Sequence, residues 1–237
     1  PVNAGMAWPL KTPKFSNLSL RVMSGAVMLP LVLGVVWLGG WPFAIMAALL
    51  SGGMAVEWAR LCAKSSIRIS WIMAGVAGCA VLASSFGHGF ISVVVVLAGT
   101  LLIWGLARSE KIDGALLTAL GVPYLSCAGI SLVWLRSLPE NGLETVICLV
   151  GIVVAMDIGA FAVGRTFGGP KMAPFISPGK TWSGLMGGAL CASGIGLSAA
   201  IFSGLNNVWV YALAGCLLGL AAQGGDLIES ALKRRYN

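Results

Sequence analysis

The chain has 237 residues, of which 58% are hydrophobic and only 10% charged, with a formal net charge of +7. Soluble domains carry about a quarter charged residues, and disordered chains are poor in apolar ones, so both classes are excluded. What remains is a polytopic membrane protein, and the 33 glycines suit closely packed transmembrane helices.

The chain begins at Pro1, which is taken to mean that the natural start precedes it. Residues 1–20 form a basic N-terminal segment with Lys11 and Lys14. The apolar run that follows is long, has no clear small-x-small cleavage site and is succeeded by further runs, so it is expected to be a retained anchor and not a signal peptide. A crossing helix needs about 20 apolar residues. Eight candidates satisfy this, at roughly 22–38, 41–59, 69–86, 90–107, 114–135, 145–163, 184–203 and 207–225. The fold class expected is therefore all-α, a polytopic bundle of about eight transmembrane helices in a single membrane-embedded domain.

The basic residues test that count. With the N-terminus in the cytoplasm, fourteen of the fifteen lie inside, and only Arg136, after the fifth span, lies outside. This is the pattern that the positive-inside rule requires. It predicts an even number of spans in the inner (plasma) membrane. It also makes the net charge first a topology signal, and then an attraction for anionic lipids or nucleotides at the inner face.

The six cysteines make no CxxC pair and there is a single histidine, His88, which excludes a zinc ribbon and argues against a disulfide framework. Gly194 to Ala199 matches a dinucleotide fingerprint but falls within a span, where it has no phosphate to bind. Gly184/Gly188 and Gly215/Gly219 are small-xxx-small pairs expected at helix contacts. Trp58 is expected to be an interfacial anchor, with Glu57 either structural or facing a site. No nucleic-acid module is present.

Three places hold the chemistry. Asp157 lies inside the sixth span, about six residues, or roughly 9 Å, from its inner end. A carboxylate there needs a polar cavity, a cation or a hydrogen bond to a neighbouring helix. The loop at 164–183 carries Arg165, Lys171 and Lys180 among glycines and prolines that forbid a continuous helix. Ser177, Lys180 and Thr181 supply donors near the start of the next span, where a helix N-terminus favours phosphate. A P-loop is excluded, because its first glycine would fall at 174, which is Pro174. Finally Asp226, Glu229, Ser230 and Lys233 stand at i, i+3, i+4 and i+7, one stripe of a helix leaving the membrane. Two carboxylates so placed can hold a divalent cation, and Mg²⁺ favours few carboxylates plus substrate phosphates. The plainer alternatives are a basic loop and a solvated helix end with i,i+4 ion pairs.

Three ordered segments carry a resemblance: Asp157 to Gly168 (DIGAFAVGRTFG), Ile176 to Trp182 (ISPGKTW) and Gly225 to Arg234 (GDLIESALKR). In them the sequence resembles the phosphatidate cytidylyltransferase (CDP-diacylglycerol synthase) family, over roughly residues 20–237 and most strongly from 150 onward. The resemblance implies that CTP and phosphatidic acid give CDP-diacylglycerol and pyrophosphate with Mg²⁺. It places Asp226 among the metal-binding acids, with Glu229 as a second and Asp157 as a metal or polar-pocket residue. Asp226, Lys233 and Lys180 would be catalytic. Arg165, Ser177, Thr181, Ser230 and Arg234 would bind substrate. The partners implied are CTP, the lipid and the membrane, without nucleic acid and with a homodimer left open.

Two departures stand out. Ser183 occupies a position where the family commonly has Glu. The family signature also continues past Lys233-Arg234 into a Lys-Asp stretch, a His-Gly-Gly turn and an Asp-Arg-x-Asp ending. Residues 224–237 are thus expected to be only the start of the C-terminal catalytic segment, and turnover is expected to need the rest. The alternatives are another CTP-dependent lipid enzyme, of the polyprenol kinase or CDP-archaeol synthase type, and a secondary transporter with a carrier site at Asp157.

Overall fold

The computed structural model describes residues 28, 30–63, 67–87 and 89–236. Lys11, Lys14, Arg21, Lys64 and His88 lie outside the described residues, as do 22–27 and 29 of the first expected span. Its end, 30–38, is helical and is called α1. There follow α2 (Gly40–Ala63), α3 (Ile67–Ser85), α4 (Gly89–Ser109), α5 (Ala115–Arg136) and α6 (Gly142–Phe167). A hairpin of β1 (Lys171–Ala173) and β2 (Ser177–Thr181) then leads into α7 (Trp182–Phe202) and α8 (Val208–Tyr236). Seven of the described helices, α2 to α8, are long and apolar enough to cross a membrane. The all-α, multi-span expectation is met, and each expected span from the second onward matches one of these helices.

Two helices extend beyond expectation. α6 runs to Phe167, so Asp157 stands ten residues, about 15 Å, from its end and not six. Apolar periodicity fades before the helix does, because Arg165 and Thr166 still fit a helical turn. α8 has 29 residues, about 43 Å, against about 30 Å of hydrocarbon. The polar stripe therefore continues the last span beyond the length that the hydrocarbon needs.

Packing divides the helices into two groups. Helices α2 to α5 enclose one cluster around Ile69, Met73, Ile103 and Val122. A second cluster, around Phe43, Val81 and Val133, draws in Val36 of α1 and Val146 of α6. Helices α6 to α8 have a smaller core of Ile152, Met156 and Ala192. There the backbones themselves come close: a Cβ at Gly188 would sit 2.6 Å from the Met156 carbonyl oxygen, and one at Gly196 would run into that of Tyr211. Small residues permit this approach where no hydrophobic force drives helices together.

Connections place the helix ends. Arg136, at the end of α5, donates from Nε to the Val36 carbonyl (2.7 Å) and from a terminal nitrogen to that of Trp37 (2.9 Å). The single basic residue expected outside thus closes the end of α1, whose last carbonyls lack helical partners. At the other face the Tyr236 hydroxyl lies against Gly114, in the connection between α4 and α5, while β2 meets α8. The ends of α2, α4, α6 and α8 gather there. Trp58, expected at a membrane interface, instead packs inward. Its ring occupies the space beside Gly121, its Nε1 donates to the Leu117 carbonyl at 3.1 Å, and Tyr124 tilts against it at 5.6 Å.

Candidate active site

The site face is assembled from the end of α6, the hairpin, the start of α7 and the end of α8. The hairpin forms because Gly168 and Gly169 take positive φ values of 63° and 108°, turning the chain sharply off α6. β1 and β2 pair antiparallel, with Lys171 opposite Thr181 and Ala173 opposite Ser177. Gly179-Lys180-Thr181 is strand and passes directly into α7, so it forms no phosphate loop of the P-loop kind.

The junction of β2 and α7 is tied to the end of α6. Thr181 is the N-cap of α7, extended at φ −119° and ψ 155°, and its hydroxyl accepts from the Gly184 amide at 3.1 Å. It is buried, at 6% exposure. Ser183 lies 3.1 Å from that hydroxyl and donates to the Gly168 carbonyl. The Trp182 amide donates to the Pro170 carbonyl at 3.2 Å. Where the resemblance would put an acid, a serine pins the hairpin base to the helix before it.

This bracing aims Lys180 at α8. Its ammonium pairs with the Asp226 carboxylate, with the lysine side chain only 15% exposed and the aspartate 56% exposed. One turn on, Glu229 pairs with Lys233. The carboxylates of Glu229, Glu57 and Asp226 all act on the Lys233 ammonium, so α2 also contributes to the field here. Opposite charges on β2 and α8 thus meet across a tertiary contact, at one face.

Other expected site residues are distributed around this pair. Arg165, in the last turn of α6, sets its guanidinium 5.8 Å from the Phe161 ring centre and is exposed. Arg234 is exposed, while Ser177 and Ser230 are half-buried. Asp157 is exposed on α6, beside Met156, which turns into the α6–α8 core. No hydrogen bond or ion pair joins Asp157 to another described side chain. Among the described residues, no three acidic, histidine or cysteine side chains come together as a metal-binding group. What the structure joins is the hairpin and the α8 stripe, through Lys180 and Asp226.

One residue escaped the sequence. Gln223 is buried, at 7% exposure, on the stripe of α8 that continues from Gly215 and Gly219 toward Asp226. A polar residue inside the eighth span was signal enough, by the same rule that marked Asp157.

Fold and site together define a polytopic membrane protein whose charged chemistry is concentrated at one face, between a braced hairpin and a long terminal helix. The sequence model of the cytidylyltransferase family matches residues 19–237. A phosphatidate cytidylyltransferase of Brucella suis is 32% identical over 227 residues, covering 93% of this chain and 82% of its own. One from Mycobacterium bovis is 37% identical over 125 residues, 53% of this chain and 40% of its own. One from Mycobacterium leprae is 40% identical over 96 residues, 40% of this chain and 31% of its own. No solved structure matches. The chain belongs to the cytidylyltransferase family, and is a nucleotidyltransferase of the membrane.

Proposed function

We propose that the protein transfers a cytidylyl group from CTP to phosphatidate, giving CDP-diacylglycerol and pyrophosphate. The observation that carries this reading is the Lys180–Asp226 contact, which brings the hairpin and the α8 stripe into one site. The relatives' shared name, phosphatidate cytidylyltransferase, supports the substrates. Neither the family match nor the relatives lend support to a transporter or to another lipid acceptor.

In the reaction a phosphate oxygen of the lipid attacks the α-phosphorus of CTP. A new O–P bond forms, the bond from the α-phosphorus to the bridging oxygen breaks, and pyrophosphate leaves with the electron pair. Both reactants are anions, so the protein's work is positioning and charge neutralisation. Lys180, Lys233, Arg165 and Arg234 are the cations available for the phosphates, and Ser177 and Ser230 are the hydroxyls beside them. Thr181 serves by holding the start of α7.

Mg²⁺ belongs to this proposal. Asp226 and Glu229 suit it: they lie on one helix face a turn apart, both are more than half exposed, and Mg²⁺ needs only one or two carboxylates when substrate phosphates complete its shell. When bound, it would neutralise phosphate charge. Asp157 would join only as a polar residue along the path of the lipid. The site face is assigned to the cytoplasm, where CTP is available, in agreement with the distribution of basic residues.

The test is direct. The purified full-length protein in detergent, with radiolabelled CTP, Mg²⁺ and phosphatidate, is expected to move label into the lipid phase, and not to do so when a polyprenol replaces phosphatidate. Label in the polyprenol alone would overturn the choice of acceptor.

A further inference from the structure

Between α2 and α3 lies an open groove of about 630 Å³. Its walls follow helical spacing, from Ile45 to Arg60 on α2 and from Trp71 to Leu82 on α3. Ile45 to Arg60 is about 22 Å of helix, the depth of one bilayer leaflet with its headgroups, which is half of about 40–45 Å. The lining is apolar except at the site-face end, where Glu57 and Arg60 stand.

Two kinds of glycine shape the groove. A Cβ at Gly52 would lie 3.3 Å from the Ala74 carbonyl oxygen, so Gly52 serves helix packing. Cβ atoms at Gly53 and Gly75 would meet nothing within 4 Å. Their missing side chains do not let the helices approach; they keep the groove deep. The mouth has the complementary charge for an anion. Arg60 takes part in neither ion pair found among the described residues, and Arg68 stands in the first turn of α3 at the same end. Glu57 is the one acid in the groove lining, and α2 is in contact with α8, the helix that carries the site stripe.

We infer that this groove takes one acyl chain of the phosphatidate substrate, with Arg60 facing the lipid phosphate at its mouth. The inference rests on the reaction proposed above, because it commits the groove to the substrate and not to bulk lipid. A chain held here would fix the depth at which the phosphate is presented to the site face.

A side chain at Gly53 starts into open space, so Gly53→Leu is expected to enter the groove without displacing backbone and to melt as the native protein does; Gly75→Leu does the same from the opposite wall. Two readouts are needed. In the first, phosphatidate with a photoreactive diazirine near the end of its acyl chain is cross-linked to the full chain and the labelled peptides are mapped by mass spectrometry. Label is expected on α2 and α3, reduced about tenfold by Gly53→Leu, and competed by unlabelled phosphatidate more strongly than by phosphatidylglycerol. In the second, KM for dioleoyl phosphatidate is expected to rise about tenfold in the variant, with the dihexanoyl lipid unaffected. Labelling elsewhere, equal competition by the two lipids, or the same change in KM for both chain lengths would overturn the inference. Because cross-linking needs no turnover, groove labelling in a protein that transfers nothing to phosphatidate would sink the proposed reaction and leave the groove as a phosphatidate site.

Discussion

Asp226 is half open to solvent while its partner Lys180 is largely covered. The lysine therefore has the more restricted position, and the aspartate is the member free to meet an incoming cation or phosphate-bound metal. Restriction of Lys180 comes from β2, and that of β2 from the cap at Thr181. Thr181→Ala removes the acceptor for the Gly184 amide and is expected to cost about 1 kcal/mol. A thermal melt in detergent would show the loss, and Thr181→Ser should restore most of it. At this scale the sequence named both partners but not their contact. The stripe of Asp226, Glu229, Ser230 and Lys233 follows from helical spacing, whereas its contact with Lys180 crosses two elements and has no local signature. Gly164 to Gly179 carries no hydrophobic period, so the hairpin could be expected only as a turn. Ser183 was noticed as a departure from the family pattern, but its bond to Gly168 needed coordinates.

Among the elements, α8 and α1 show how helix ends acquire tasks. α8 is longer than the hydrocarbon is thick, so its last turns reach beyond the hydrocarbon. α1 ends under Arg136, which takes up two of its carbonyl groups. The charge count made Arg136 an outlier, and the structure supplies its reason: a guanidinium suits the negative end of a helix. Arg136→Ala is expected to lower stability by about 1–2 kcal/mol through loss of these charge-assisted bonds, with turnover per folded molecule unchanged because the residue lies at the face opposite the site. An equilibrium melt combined with the label-transfer assay separates the two effects. Trp58 is the counterpart case. Its sequence position at a span end fitted an interfacial belt, yet the gap left by Gly121 draws the ring inward, a tertiary preference that composition does not record.

Across the whole molecule, one face brings β2 and α8 together, and the proposed reaction asks that face to handle two anionic substrates. The spans from the second onward were legible because hydrocarbon imposes a length. The two-part packing was not, since runs this apolar look alike from every side. The most direct measurement is the rate of label transfer from CTP to phosphatidate by Asp226→Asn, alongside its melting temperature. The variant keeps the side chain's shape and removes its charge. A native-like melt with a rate lower by about 10²–10³ is expected. A folded Asp226→Asn protein that turns over at the native rate would contradict the role proposed for Asp226.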